Sequence, residues 1–492
     1  MHNRIQQVIR CFILLIWLVP PTGDASFTGD SAGGPTVNEV TVLQGATLID
    51  GRGGPIVTDS VVVTSGDQII FAGASGQAEL PADARVIDLK GKFLLPGFID
   101  VHAHITLDKV DVRVVDGVPS VAIEYNEDTS RGLLSNLLAD GITGIRNPGG
   151  SAQIAVALRR AISTKQLPGP DIVTAGELLS ATAFEGLTTT VTDEPQIAAE
   201  ISRQASVGVD LIKIYYDLPE NLLAFAIKTA HGRGLPAIAH TGPVSWTRVA
   251  QLSIDGLVHI MPISPELLGA TAQQQFLSNR RPGTFEFFEW YEVVDLESPE
   301  IRKMATELAA KEVFIDPTLV MFEAIFWGDD SAITNNSALA RVPPHLVDNW
   351  RNYFNMNIGW TPEDFSRAKA VWPKVLQLSR LLFEAGVPLA IGSDLGNPWI
   401  VPGDSFHREL ALMVDAGIPP LDVITMATLN GAKFMGSNEV TGTVEPGKLA
   451  NLVILNDDPV ANITNSRKIS NSMYRGALLN PADLLILYEP DN

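Results

Sequence analysis

Between Pro96 and about residue 438 the chain alternates eight times between a short apolar run and a longer segment, several of helical period. The runs are Gly97 to Val101, Ile142 to Arg146, Asp171 to Thr174, Leu211 to Tyr215, Pro236 to His240, Gly256 to Ile260, Val313 to Asp316 and Pro388 to Gly392. Helical patterns lie between most of them, as in Ser130 to Ala139, Gln196 to Val207, Glu220 to Gly232 and Lys374 to Ala385. Largely apolar runs of this length, alternating with helical patterns, read as strands. Eight such alternations over roughly 330 residues match the size of a (β/α)8 barrel. The expected class is therefore α/β, with a TIM-like barrel over 96–438.

The flanks have a different rhythm. From Asn38 to Leu95 four brief β-branched runs (Val40 to Leu43, Ser60 to Val63, Gln68 to Ala72, Arg85 to Leu89) are separated by turn residues. Short strands return at Leu449 to Leu455, Met473 to Leu478 and Leu484 to Leu487. The simplest assembly is one small accessory β-sandwich built from 38–95 and 439–492.

The first residues stand apart. Arg4 and Arg10 precede the apolar run Cys11 to Val19, which Pro20, Pro21 and Gly23 end, and Gly23 and Ala25 suit a cut after Ala25. The run is too short to span a bilayer and reads as a secretory signal over 1–25, followed by a polar linker over 26–37. The mature protein is then expected to be exported, without stable membrane insertion. Cys11 is the chain's one cysteine, so disulfides, cysteine metal sites and cysteine nucleophiles are excluded downstream. A net charge of −21, with no basic block, also argues against nucleic acid as a partner.

Four of the eight histidines stand at strand ends. His102 and His104 follow the first run, two residues apart, so both imidazoles point to one side. At the barrel mouth they would form half of a metal shell. His240 and His259 close the fifth and sixth runs. Either alone would read as a hydrogen-bonded core histidine; two at the expected mouth favour ligation. Asp394 follows the eighth run and could cap a helix, but facing four histidines it reads as a metal ligand and general base. Lys213 sits within an apolar strand, where burial is costly, so it either faces outward or is ion-paired, or it carries a carbon dioxide-derived carbamate. These two readings stay open.

Weaker candidates surround this set. Tyr215, on the face of Lys213, could bind a substrate carbonyl or carboxylate, or simply pack. His407 begins a helix after the eighth run and is a second candidate substrate contact, or structural. His231 and His345 read as surface residues. The run Phe285 to Tyr291 is a helix packed on the barrel or an aromatic lid.

The ordered motifs PGFIDVHAH (96–104), GVDLIKIYYD (208–217), AIAHT (237–241), LVHI (257–260), IGSD (391–394) and GTVEPGKLANLVIL (442–455) resemble the amidohydrolase superfamily, in its imidazolonepropionase-like and prolidase-like branch. The resemblance implies a distorted barrel with an accessory β-sandwich and two divalent metal ions, commonly zinc. His102, His104 and Asp394 would bind the more buried ion, His240 and His259 the more exposed one, and carboxylated Lys213 would bridge them. Asp394 would be the general acid and base for a metal-bridged hydroxide. The implied activity is hydrolysis of amide-type C–N bonds in a dipeptide or N-acyl amino acid. Alternatives are a one-metal, imidazolonepropionase-like cyclic amidohydrolase and an inactive exported binding protein on the same fold. Oligomeric state is left open. One departure is Arg146-Asn147-Pro148-Gly149-Gly150, where relatives often carry Arg-Asp-x-Gly-Gly.

Overall fold

The structure is a computed structural model and describes residues 40–77, 82–115 and 118–489. The expected signal segment and linker, and Cys11, lie outside the described residues. No described helix is long and apolar enough to cross a membrane.

Both ends of the chain meet in one eight-stranded sheet. Its strands run Ala477–Leu479, Ile469–Tyr474, Leu452–Leu455, Phe93–Pro96, Val40–Leu48, Val57–Ser65 and Gln68–Ala74, with Arg85–Asp88 added in parallel to Val40–Leu48. The described strands thus form one connected sheet where two packed sheets were expected. Adjacent residues Val42 and Leu43 enter different apolar clusters, one on each face. Register shifts at Gln44/Ala46 and Ala46/Leu48 mark where the longest strand is bulged. The expected strand at Leu484 to Leu487 is absent: Pro481–Leu484 is a helical turn capped by Asn480.

Leu452 pairs with Pro96 and Leu455 with Phe93, so the terminal segment clamps the strand that leads directly into Phe98–Asp100 and His102. Beyond it lie two parallel sheets. One is ordered Asp171–Thr174, Ile142–Asn147, Phe98–Asp100; the other Thr188–Thr190, Leu178–Ser180, Ile212–Ile214, Ala237–Ala239, Gly256–Val258, Phe314–Asp316. No continuous ladder closes them into one barrel among the described residues. Individual backbone bonds bridge the gaps: Asp210 N to Thr174 O at 2.8 Å, Ile315 N to Pro388 O at 3.0 Å, and Val101 N to Ile391 O at 2.9 Å. The eighth run, Pro388 to Gly392, contributes an isolated bridge, Leu389 to Ile315, and forms no strand. Pro388 has no N–H to donate, and Asp394 (φ 60°) leaves extended geometry soon afterwards.

The helices extend beyond their sequence patterns because caps, not apolar residues, set their starts. Asn126 caps Glu127–Ala139 and Asp193 caps Glu194–Val207. The pattern at Lys374 to Ala385 is the end of a 23-residue helix, Pro362–Glu384, which begins with a Thr361/Asp364 capping box and contains Pro373. The hairpin Val110–Val115/Val118–Ile123 was not foreseen, although Asp116-Gly117 between valine-rich runs is a hairpin signal.

Candidate metal centre

His102, His104, Lys213, His240, His259 and Asp394, brought from five separate segments, line one cavity of about 170 Å³ together with Tyr215. The strands that deliver them are short, and three non-glycine residues at their ends adopt left-handed backbone: His259 (φ 63°), Thr318 (φ 50°) and Asp394 (φ 60°). Such geometry costs about 1–3 kcal/mol per residue and persists where surroundings over-determine it. Here they do. Asp394 N donates to His102 O at 2.8 Å, and His259 N to Asp316 O at 2.8 Å. Buried Asp100 accepts from His102 N (3.0 Å), Ser393 N (3.0 Å) and Ser393 Oγ (2.5 Å), tying the first histidine to the turn that carries Asp394. Burial raises the Asp100 pKa to about 6 despite these bonds. Glu409 accepts from Leu319 N and Val320 N, the first amides of helix Leu319–Phe326, and so fixes the Thr318 turn.

The ring nitrogens are assigned by their partners. Nδ1 of His102 donates to Asp316 Oδ1 at 2.8 Å, and the other Asp316 oxygen accepts from Arg146. Arg146 also donates to Val101 O and lies over the Phe434 ring. Nδ1 of His104 donates to Gly149 O at 2.8 Å. Both Nε2 atoms therefore carry lone pairs, and they face Asp394 Oδ1 at 3.1 Å and 3.7 Å. Asp394 Oδ1 is buried and has no hydrogen-bond donor. With both imidazoles neutral, three lone-pair groups converge here, and this donor set fits a divalent metal ion. His102, His259 and Asp316 also cluster, but Asp316 is already engaged by His102 and Arg146.

The second half of the set is looser. His259 Nδ1 lies 2.8 Å from Thr318 Oγ1, and its ring is 4.9 Å from that of His240. Tyr215 meets His240 edge-on at 5.5 Å. Lys213 is buried and forms no ion pair among the described residues, so the outward, ion-paired alternative does not describe it. Burial lowers its pKa to about 7, with Arg146 adding to the effect. Burial also lowers His104 to about 4 and His240 to about 3, keeping these imidazoles neutral and able to ligate at pH 7. For His102 burial works the same way, but the Asp394 and Asp316 carboxylates outweigh it and raise its pKa. Burial likewise opposes ionisation of Asp394, and His102 and His259 overcome it, holding the carboxyl well below its usual range.

His407 does not line the cavity. Its Nε2 donates to Asp140 O (3.2 Å) at the end of helix Glu127–Ala139, and its Nδ1 accepts from Ser466 Oγ (2.9 Å) in the terminal segment, so both nitrogens are engaged. His231 is exposed beside Asp255, as expected of a surface residue. His345 is exposed, as expected of a surface residue, and its Nε2 also reaches Asp108 in the cavity wall. The aromatic run forms helix Glu286–Val293, whose Phe288, Trp290 and Tyr291 are core and whose Phe287 reaches the cavity. Asn147, at the family departure, bonds Thr174 Oγ1 through Nδ2 and leaves the ligands untouched.

Of the supporting residues, Arg146 and Asp316 end apolar runs, Asp100 lies within one and Glu409 sits inside helix Asp404–Asp415, and none carried a further sequence signal.

The amidohydrolase family matches residues 93–255 and 288–479. The imidazolonepropionase of Streptomyces coelicolor is 24% identical over 422 residues, 81% of this chain and 86% of that protein. That of Geobacillus kaustophilus is 38% identical, but over 79 residues, so the chain there spans only 18% of its relative. A crystal structure of a Xaa-Pro dipeptidase with bound methionine in the active site superposes with a TM-score of 0.65 at 20% identity, covering 90% of this chain and all of that one. The family match takes in His102, His104, Lys213, His240 and Asp394, while His259 falls between its two parts, and the chain belongs to the amidohydrolase family.

Proposed function

We propose that this chain is an exported, metal-dependent hydrolase of amide-type C–N bonds, acting on small substrates of the dipeptide class on a (β/α)8 barrel scaffold. The observation that carries this reading is Asp394 Oδ1, buried without a donor and facing two imidazole lone pairs in a cavity open to ligand. His102, His104 and Asp394 would hold one divalent ion, zinc being well suited to nitrogen and carboxylate ligands, and His240 and His259 a second. Lys213 would bridge them as a carbamate: its neutral Nζ bonds to the carbon of carbon dioxide and releases one proton, leaving an anion with two ligand oxygens. When bound, the ions would polarise the amide carbonyl and make water acidic enough to attack it.

The chain's own groups do the rest. Asp394 would accept the proton of the attacking water and return it to the departing amine nitrogen. Asp100 and the His102 carbonyl hold the Asp394 turn in place for that transfer. Tyr215, whose hydroxyl stays protonated because burial raises its pKa, can donate to a substrate carbonyl or carboxylate. Apolar walls from Leu178, Phe184, Phe287 and Met321 would limit access of bulk water.

The likeness to the imidazolonepropionases favours a second reading, ring opening of a cyclic amide with one ion. Metal analysis with a panel of dipeptides, N-acyl amino acids and cyclic amides separates them. Chelation should abolish turnover while circular dichroism stays largely unchanged, and full activity in metal-free protein would refute the site.

A further inference from the structure

Asp108 is a second carboxylate in the same cavity, outside the proposed ligand set. It is buried, and its backbone N–H is held by Glu124 O at 2.9 Å. Oδ1 accepts from Thr129 Oγ1 at 2.8 Å and meets His345 Nε2 at 2.9 Å; Oδ2 meets only the same His345 nitrogen, at 3.1 Å. A carboxylate offers about four acceptor sites, so Oδ2 keeps capacity. The neighbouring walls, Leu107, Val110, Ile123 and Trp350, offer it no side-chain countercharge. Burying an anion against apolar surface is costly unless a cation or strong donor completes it. Thr129 is neutral, and the His345 side chain is 41% exposed to solvent, so the pairing on the cavity side is left to the ligand.

We propose that Asp108 is a specificity-determining residue that binds the ammonium group of the substrate. This rests on the amide-hydrolase reading and narrows it. Of the two substrate classes suggested by the sequence, dipeptides carry a free ammonium, whereas N-acyl amino acids do not; aminoacyl amides share the ammonium. An ammonium offers three N–H donors and the missing positive charge, and a charge-assisted bond of this kind is stronger than one between neutral groups. Asp108 and the histidine cluster line one cavity, so a single small molecule can touch both.

The test uses metal-loaded protein and two probes of similar shape, 3-phenylpropylamine and 3-phenylpropan-1-ol, titrated calorimetrically. Wild type should bind the amine about tenfold or more tightly than the alcohol. Asp108→Asn should lose that preference while keeping its metal content and its affinity for the alcohol. In turnover, aminoacyl anilides should show a raised KM in the variant with kcat little changed, and their N-acetylated counterparts no change. Equal binding of both probes by wild type overturns the proposal, without any need for the variant to fold. So does an amine preference that survives in Asp108→Asn, or an equal loss for both probes, which would mark Asp108 as a structural staple. If no amide is hydrolysed while the Asp108-dependent amine preference persists, the amide-hydrolase reading fails and the ammonium site stands.

Discussion

Asp316 Oδ1 lies 2.8 Å from Nδ1 of His102, although 214 residues separate them in the chain. That bond decides which imidazole nitrogen keeps a lone pair for the metal, and Arg146 on the other oxygen keeps the carboxylate in line. Asp316→Asn should lower metal affinity about 10–100-fold, the usual effect of removing a ligand's supporting carboxylate. It also leaves the Arg146 guanidinium buried without its countercharge, so a stability loss of about 3–5 kcal/mol should accompany it. Metal titration and denaturant melts read the two effects separately. Undiminished metal affinity would show that His102 needs no such partner.

Lys213→Ala should lose the bridge. The expected result is a fall from two ions to one or fewer per chain, loss of most turnover, and partial recovery with formate or propionate filling the gap. A variant that keeps two ions and normal rates without such acids would make the lysine structural and favour the single-metal, ring-opening alternative.

The residues that converge on the cavity were legible because they break a pattern. His102, His240, His259 and Asp394 each end an apolar run, and Lys213 interrupts one, so polarity against periodicity exposed them. Asp316 and Arg146 were also in view as run ends, but their roles depend on pairing across strands far apart in sequence. Pro373 hid the first half of helix Pro362–Glu384 because proline reads as a breaker, though the helix continues through it. One gap between the sheets lies at the eighth segment, where Pro388 lacks an N–H, Asp394 turns left-handed and only an isolated bridge from Leu389 to Ile315 forms.

Acid should destabilise the fold partly through His407. Burial lowers its pKa to about 3 in the native state, against about 6.5 when unfolded. Above pH 6.5 the residue carries no proton in either state and costs nothing. As pH falls from there toward 3, the unfolded chain binds a proton that the native one refuses, so stability drops. Between pH 8 and pH 5 this one group accounts for about 2 kcal/mol. His407→Gln should therefore show a smaller loss over that interval than wild type in urea melts. An unchanged pH slope would mean that the native His407 titrates normally.

Export predicts processing. N-terminal sequencing of material recovered outside the cytoplasm should begin near Ser26, and exported protein that still begins at Met1 would exclude cleavage after Ala25.

Gly392 tests how closely the eighth segment must approach the first. A Cβ built there would lie 2.7 Å from the Cβ of His102 and 3.2 Å from that of Asp316. Both contacts are with atoms fixed to the backbone, so neither can yield by rotating a side chain. Overpacking of this kind costs about 1–3 kcal/mol. The displacement would fall on the ligand His102 and on the carboxylate that orients it, so function should suffer beyond the stability cost. Gly392→Ala should fold, melt lower than wild type, and bind metal at least about tenfold more weakly. Calorimetric metal titration alongside thermal melts checks both effects. Wild-type affinity in a destabilised variant would show that the segment can back away from His102 without disturbing its imidazole, and that the tight approach serves packing alone.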